Sequence, residues 1–261
     1  MKHRLVLLSF DVEEFDIPIE YGQTISWEEQ IFVSRQGMKN VMEILDVHGI
    51  STTLFITAKY ALENIAQIET LALKHEIASH SYYHSCYKEE DLLNSRLALE
   101  QVSKQKVQGL RMPRMKQVSM NSITNAGYTY DASINPTYIP GRYNNLKLPT
   151  TVYKQEQVFR VPSSVTPHLR IPLFWITFKN FPYFIYKRLA IQTLNKSGFL
   201  NLYFHPWEFT DISKYKLPGY IKRYSGYKMI DKLDVLIKDL KQYGEFTTMS
   251  NFLLKMNKNE D

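Results

Sequence analysis

Residues 5–15 have the sequence LVLLSFDVEEF, a mostly apolar run that is followed at once by acidic residues. The run from Leu5 to Phe10 is long enough for a buried strand and far too short for a helix that crosses a membrane. Asp11 and Glu13 follow where this strand would end, and alternate residues of an extended segment point to the same side. The stretch therefore predicts a first strand that carries two carboxylates, side by side, at its C-terminal end.

Helical and extended patterns alternate along the rest of the chain. Residues 36–48 carry apolar side chains at helical spacing, and Gly49 follows where a glycine commonly ends a helix. The further predicted strands are Thr52–Thr57, Glu76–Ser79, Val107–Met112, Tyr128–Ser133, Val158–Val161, Leu200–Phe204 and Glu245–Thr248, with helices between most of them and an irregular loop at Asn135–Pro149. Since parallel neighbours need crossover connections, this alternation predicts a parallel sheet.

Polar residues follow several of the predicted strands at their C-terminal ends. They are Asp11, His80, Arg111, Asp131 and His205. In α/β barrels the catalytic residues lie at the C-terminal ends of the strands. A doubly wound sheet, in contrast, usually has a glycine-rich phosphate-binding turn after its first strand. Residues 9–13 contain no glycine. We therefore expect an α/β fold, a distorted (β/α) barrel of about seven parallel strands, formed by a single domain over residues 1–261.

Composition limits the partners and the compartment. The chain has 32 Lys and Arg against 26 Asp and Glu, and six net positive charges spread along 261 residues are weak evidence for a nucleic-acid partner. Cys86 is the single cysteine and cannot form an internal disulfide. The apolar run after the basic N-terminus is too short for a signal peptide, and no stretch approaches a membrane span. We expect a cytoplasmic protein without nucleic acid or a transmembrane segment, compatible with peripheral contact with a membrane.

His80 and His84 are four residues apart, close enough in a turn or at a helix start to hold one metal ion. Such a pair is often a coincidence, and acids at a strand end are often only solvated. Here Asp11 and Glu13 supply carboxylates as well, so that one can bind a cation while the other takes a proton. Two histidines and one carboxylate leave a position open for water, as expected of a hydrolytic metal site.

Four short motifs occur in order along the chain: residues 10–15 (FDVEEF), 80–84 (HSYYH), 111–113 (RMP) and 202–206 (LYFHP). With these motifs the sequence resembles the polysaccharide deacetylases, the NodB-homology family or family-four carbohydrate esterases. The resemblance covers roughly residues 5–252. The F-D-V-E start and the late H-P-W-E at residues 205–208 are similar to a subgroup associated with bacterial surface and extracellular polysaccharides.

The resemblance implies one divalent metal ion, held by Glu13, His80 and His84. Glu13 would take the place of the aspartate that usually binds the metal. Two imidazoles and a carboxylate suit zinc, with cobalt or nickel as substitutes. The departure is that the adjacent aspartate pair of the common first motif is absent, so a longer glutamate must reach the metal.

The resemblance also implies the catalytic groups. Asp11 would be the base that removes a proton from water, and His205 the acid that protonates the departing sugar amine. Arg111 would hold Asp11 ionised, and Asp131 would hold His205 charged.

The expected activity is removal of N-acetyl groups from an N-acetylated glycan, or from a lipid-linked sugar precursor of a surface polysaccharide. A related branch of the same fold opens cyclic amides and ureides without a bound metal, and retention of His80 and His84 favours the metal-dependent branch. A third alternative is a carbohydrate-binding protein with a decayed site, which would have lost the base or a histidine ligand. The residues after the third motif, Arg114 and Met115, differ from the small or aromatic ones often found there, which leaves the shape of the sugar groove open.

Overall fold

The structure, a computed structural model, describes residues 4–257. Its strands are β1 (Leu5–Val12), β2 (Thr53–Ile56), β3 (Glu76–Ser79), β4 (Gly109–Leu110), β5 (Tyr130–Asp131), β6 (Tyr138–Ile139), β7 (Tyr143–Asn144), β8 (Tyr153–Gln155), β9 (Val158–Arg160), β10 (Phe199–Phe204) and β11 (Glu245–Phe246). Its helices are α1 (Ile17–Glu20), α2 (Trp27–His48), α3 (Ala58–Glu63), α4 (Ile65–Ala72), α5 (Asp91–Ser103), α6 (Met120–Asn125), α7 (Trp175–Asn180), α8 (Tyr183–Ser197), α9 (Gly219–Lys222), α10 (Tyr227–Leu240) and α11 (Met249–Asn257), with 3₁₀ turns at Pro113–Met115 and Pro206–Phe209.

The main sheet has the strand order β10-β1-β2-β3-β4-β5-β9-β8. The seven strands from β10 to β9 are parallel, β8 is antiparallel to β9, and β11 pairs in parallel with the start of β1. The sheet curls into a half-barrel. Its open side is bridged where Ser164 N donates to Asn201 O (2.9 Å) and Asn201 N donates to Ser164 Oγ (2.8 Å). The predicted distorted (β/α) barrel is thereby confirmed.

Side chains of β1 alternate between two apolar clusters. Val6, Leu8, Phe10 and Val12 pack outward in the layer between the sheet and its helices. Leu5 and Leu7 belong instead to a second cluster, which α11 joins through Phe252. Since the side-chain period of a strand is two, Asp11 continues the row of Leu5 and Leu7. The strand pattern alone therefore aims the acidic end of β1 away from the helix layer.

Several elements differ from the sequence prediction. Helix α2 begins at Trp27, nine residues before the predicted start, because Ser26 caps it by accepting a hydrogen bond from Glu29 N (3.2 Å). Ser followed three residues later by Glu is a known helix-start signal. Between β2 and β3, where the sequence pattern predicts one helix over residues 63–75, the chain forms α3 and α4, which are separated at Asn64. The loop at residues 135–149 contains the β6–β7 hairpin.

No helix within residues 4–257 is both long and apolar enough to cross a membrane.

Candidate active site

The C-terminal ends of four parallel strands gather the polar residues of the site. Asp11 and Glu13 come from β1, His80 from β3, Arg111 from β4 and His205 from β10. A cavity of about 410 Å³ opens at this edge of the sheet. It is lined by Asp11, Glu13, His80, His84 and His205 together with apolar and aromatic side chains, among them Tyr143, Phe174, Trp175, Tyr203 and Trp207.

Glu13, His80 and His84 direct one donor atom each toward a common point. Glu13 Oε2 lies 3.0 Å from His80 Nε2 and 3.1 Å from His84 Nε2, and all three atoms lie within 4.8 Å of one another. His80 Nδ1 is 2.7 Å from Arg111 O, which can only accept, so this ring donates through Nδ1. His84 Nδ1 is likewise 2.7 Å from Asp16 Oδ1. Nε2 of each ring therefore faces Glu13 Oε2, where a cation can take the place of a proton, and the donor set fits zinc.

The turn between the two histidines explains how they meet. Ser81 has φ +64°, in the left-handed region that few residues other than glycine adopt. Ser81 N donates to Ser79 Oγ (3.2 Å), and Ser95 Oγ of α5 donates to Ser81 O (2.8 Å). These hydrogen bonds hold the turn that returns His84 toward β1.

The charges of this cluster are strongly coupled. Burial by itself would raise the pKa of Glu13, but the charges of His84 and His205 and the hydrogen bond from His80 outweigh it and hold that pKa well below its ordinary value. Burial would lower the pKa of His84, yet Glu13 and Asp16 together raise it to about 9. Without a cation the cluster is therefore an ion pair, and a cation would replace a proton.

Asp11 forms an ion pair with Arg111, as predicted. Arg111 Nη1 donates to Asp11 Oδ1 at 2.5 Å, and both side chains are buried. The guanidinium carbon lies 4.0 Å from the ring centre of Phe55 and 4.9 Å from that of Tyr203. Arg111 is fixed between two rings, so its hydrogen bond holds the Asp11 carboxylate in one orientation.

His205 faces Asp11 and Glu13 across the cavity. Its Nε2 lies 4.0 Å from Asp11 Oδ2 and 4.0 Å from Glu13 Oε1. Its ring stacks on Trp207, with 4.9 Å between ring centres. Burial would lower the pKa of His205, but Glu13 and Glu208 raise it overall. A protonated His205 is thereby favoured beside the carboxylates of Asp11 and Glu13.

The prediction that Asp131 supports His205 is wrong. Asp131 forms an ion pair with Arg160 (3.1 Å) and accepts hydrogen bonds from Ser133. The reason is strand order: β5, which carries Asp131, is separated from β1 by three strands, whereas β10 is adjacent to β1. The partner of His205 is Glu208, whose Oε1 lies 3.0 Å from His205 Nδ1 and accepts from His205 N (2.9 Å).

The sequence contained a signal for Glu208 that the resemblance alone did not use. A glutamate three residues after the residue that begins a helical turn folds back onto that residue's N–H. The turn Pro206–Phe209 forms such a capping box, with Glu208 accepting from His205. Glu208 Oε2 in turn lies 3.4 Å from Lys179 Nζ, and both side chains are fully buried.

Sequence reasoning also missed Asp16 and Trp207. Asp16 orients His84, as described, and Trp207 Nε1 donates to Glu13 Oε1 (3.1 Å). The indole thereby occupies the carboxylate oxygen that does not face the histidines. Neither contact follows from local spacing, because each joins residues at least 68 positions apart.

Comparisons with known proteins show a family and a fold to which this chain is similar. The family model of polysaccharide deacetylase matches residues 2–130. No curated protein matches the sequence. A solved structure from Mycobacterium smegmatis, assigned as a polysaccharide deacetylase, has a TM-score of 0.67 and 17% identity, covering 100% of this chain and 92% of its own.

Two further solved structures have the same fold. The Puue allantoinase has a TM-score of 0.63 and 16% identity, covering 96% of this chain and 89% of its own. The Bc1960 peptidoglycan N-acetylglucosamine deacetylase has a TM-score of 0.53 and 15% identity, covering 96% of this chain and 92% of its own. At such identities the likeness concerns the fold alone. By sequence, residues 2–130 are similar to the polysaccharide deacetylase family, and the whole chain has the fold of these solved structures.

Proposed function

We propose that this protein is a metal-dependent carbohydrate de-N-acetylase, which removes N-acetyl groups from a sugar of a bacterial surface polysaccharide or of its precursor. The observation that supports this most directly is the convergence of Glu13 Oε2, His80 Nε2 and His84 Nε2. Asp11 and His205 flank that point inside one cavity. Such a site combines a metal-binding group with separate acidic and basic residues, as amide hydrolysis requires.

A divalent cation bound by Glu13, His80 and His84 would polarise the acetamide carbonyl and make a water molecule more acidic. Asp11 accepts a proton from the attacking water, and its hydrogen bond from Arg111 keeps its carboxylate oriented. A carbon–oxygen bond forms at the carbonyl, and the carbon–nitrogen bond breaks. His205 Nε2 protonates the sugar nitrogen as it leaves, so that acetate and a free amine are the products.

Glu208 is a positioning residue in this scheme. Because it accepts from His205 Nδ1, the proton that His205 can donate to the substrate is the one on Nε2. Asp16 acts in the same way on His84, leaving Nε2 for the metal. We propose zinc as the metal, with cobalt or nickel able to replace it.

The walls of the cavity support a sugar as substrate. Trp175 and Trp207 stand beside His205, with ring centres 5.5 and 4.9 Å from the imidazole. Aromatic rings with one polar edge suit the alternating apolar faces and hydroxyl edges of sugars. Both a polymer and a lipid-linked precursor present such a unit, and the length of the chain that binds is left to experiment.

Metal analysis and an acetate-release screen together test the function. The purified chain, loaded with Zn²⁺ and then freed of excess metal, should retain about one ion per molecule. It should release acetate from N-acetylated oligosaccharides and lose that activity in Asp11→Asn. Ring opening of a cyclic ureide without acetate release would favour the allantoinase-like alternative. Sugar binding without any turnover would favour the decayed-site alternative.

We also propose that residues 1–261 form one catalytic domain, although residues 1–3 and 258–261 lie outside the described part of the chain. Strands from both halves of the sequence share one sheet, and both halves supply residues to the site. The cytoplasmic location stays a prediction, which fractionation of cells would test.

A further inference from the structure

Positive charge is concentrated in one stretch of the sequence. Residues 157–230 contain eleven Lys and Arg but only two acidic residues, Glu208 and Asp211. Glu208 and Lys179 are both buried and face each other, and Arg160 is buried beside Asp131, so none of these three residues adds to the surface charge of the stretch. The net charge of the whole chain is only +6, so the remainder of the chain is acidic on balance. The basic character of this protein therefore belongs to one region.

Part of this region forms an exposed face that combines cations with aromatic rings. Phe184 at the start of α8 is 73% exposed, and Tyr227 at the start of α10 is 70% exposed. Arg188 is also exposed and lies one helical turn after Phe184, on the same side of α8. Lys228 and Arg223 are exposed too, with Lys228 Nζ 6.0 Å from the ring centre of Tyr227 and the Arg223 guanidinium carbon 5.3 Å from that of Tyr224. Residues 184–188 and 220–228 together are called the basic aromatic face below.

The two parts of the basic aromatic face are joined through Lys232 of α10. Lys232 Nζ donates to the carbonyl oxygens of Phe178 and Phe181, just before α8. The same Nζ lies 4.8 Å from the ring centre of Tyr224. Residues distant in sequence are thereby held next to one another on the surface, since one ammonium group contacts both segments.

The basic aromatic face borders the mouth of the catalytic cavity. Tyr220 is part of the face, is 45% exposed and also lines the cavity. Asn180 Nδ2 of α7 donates to Tyr220 O (3.0 Å), which ties this segment to the α7–α8 corner. The nearby cavity lining is apolar as well, through Ile139, Pro140 and Ile176. Whatever binds the face therefore lies beside the entrance to the site.

We propose that the basic aromatic face docks on an anionic lipid bilayer, with the cavity mouth next to the headgroups. Aromatic side chains favour the boundary between headgroups and acyl chains, and Lys and Arg near an anionic surface are attracted to it. A soluble polyanion would need only the cations. A bilayer interface also accommodates the exposed rings of Phe184 and Tyr227.

Docking in this orientation suits a substrate that is itself held at a membrane, such as a sugar carried on a lipid. That extension rests on the proposed function, whereas binding to the bilayer does not. Bilayer binding is measured without any substrate, so its failure and the failure of de-N-acetylation are separate results.

Vesicle flotation tests the proposal on the full chain. We expect the protein to float with vesicles of equal parts phosphatidylglycerol and phosphatidylcholine, and not with vesicles of phosphatidylcholine alone. The double variant Phe184→Ser/Tyr227→Ser and the double variant Arg223→Glu/Lys228→Glu should each weaken partition to the anionic vesicles by about tenfold or more.

Matched controls come from the opposite edge of the sheet and from other helices. Val47 and Leu73 are 79% and 88% exposed apolar residues that precede β2 and β3. Val47→Ser/Leu73→Ser should partition like the unchanged protein, and so should Lys39→Glu/Lys106→Glu, which makes the same charge change elsewhere.

Three results would overturn the proposal. One is that the unchanged protein fails to float with anionic vesicles. Another is that the control variants lose as much partition as the variants of the face. The third is that the aromatic variant partitions normally while soluble polyphosphate abolishes vesicle binding, which would indicate a site for polyanions. Acetate release from a soluble N-acetylated oligosaccharide should be unchanged in the face variants, which shows that they are folded.

Discussion

Replacing Gly37 by alanine tests how closely helix α2 must approach the turn that carries the site. Gly37 lies inside α2, where a glycine ordinarily costs about 1 kcal/mol relative to alanine. On helix propensity alone, Gly37→Ala should therefore stabilise the protein. The structure predicts the opposite, because a Cβ atom at this position would lie 1.8 Å from Pro206 O and 2.4 Å from Pro206 C.

The size of the effect follows from that distance. A Cβ atom essentially never comes within 3.0 Å of such a neighbour, so the helix and the turn must separate by at least about 1.2 Å. Two hydrogen bonds resist this movement: Asn40 Nδ2 donates to Phe209 O (2.8 Å), and Thr210 Oγ1 donates to Val33 O (3.0 Å). Overpacking of this kind costs about 1–3 kcal/mol.

We expect Gly37→Ala to lower the free energy of unfolding by about 2 kcal/mol and Tm by about 4–8 °C. Because a displacement of about 1 Å can reduce the rate of a positioned reaction by ~10²-fold, turnover should also fall, since the moving turn follows His205 and contains Trp207. The assays are urea unfolding and acetate release. Gly219→Ala is the matched control, because no atom lies within 4 Å of its Cβ position. A Gly37→Ala variant as stable and as active as the unchanged protein would refute this account of the packing.

The remaining predictions concern the chemistry of the site. Asp11→Asn should keep the metal while turnover falls by ~10²–10⁴-fold, whereas His84→Ala should lose both the metal and turnover. Elemental analysis and acetate release measure the two. Near-normal turnover in Asp11→Asn would mean that Asp11 is not the base. His205→Gln should keep metal and sugar binding while kcat falls by ~10²-fold, and an unchanged kcat would mean that the proton comes from elsewhere. Glu208→Gln should lower the pKa of His205, so that the fall in kcat at high pH begins at a lower pH. Asp131→Asn should leave that pH profile unchanged and lower only the stability, by about 1–3 kcal/mol in urea unfolding. A shift of the pH profile in Asp131→Asn would contradict the pairing of Asp131 with Arg160. Zn²⁺ affinity should rise with pH from 7 toward 9, because the pKa of His84 is raised to about 9 and the metal must displace its proton. Calorimetry in two buffers with different heats of ionisation would detect the released proton. An affinity independent of pH would exclude this competition between metal and proton.

Local pattern was sufficient for the fold class and for two pairs of site residues, Asp11 with Glu13 and His80 with His84. The run from Leu5 to Phe10 predicts a buried strand because its length and composition leave few alternatives, and the period of two places Asp11 and Glu13 on one side. The four-residue separation of His80 and His84 brings two imidazoles within reach of one ion. All of these inferences depend on residues that are close in sequence, where the geometry of a single strand or turn decides the outcome.

Strand order decided what the sequence could not. Asp131 and His205 both follow strands at the same edge of the sheet, so sequence position alone gave no reason to separate them. In the structure β10 lies next to β1, while β5 is four places from β1 along the sheet. His205 therefore faces Asp11, and Asp131 is left to pair with Arg160.

Contacts between distant segments account for the rest of the site. Asp16 on His84, Trp207 on Glu13 and Lys179 on Glu208 each depend on how loops of different strands pack together. The sequence by itself determined which chemical groups this protein carries and that parallel strands would bring them to one edge. Only the tertiary structure decided which groups become partners, because partnership depends on distances of about 3 Å between side chains that the chain connects through tens or hundreds of residues.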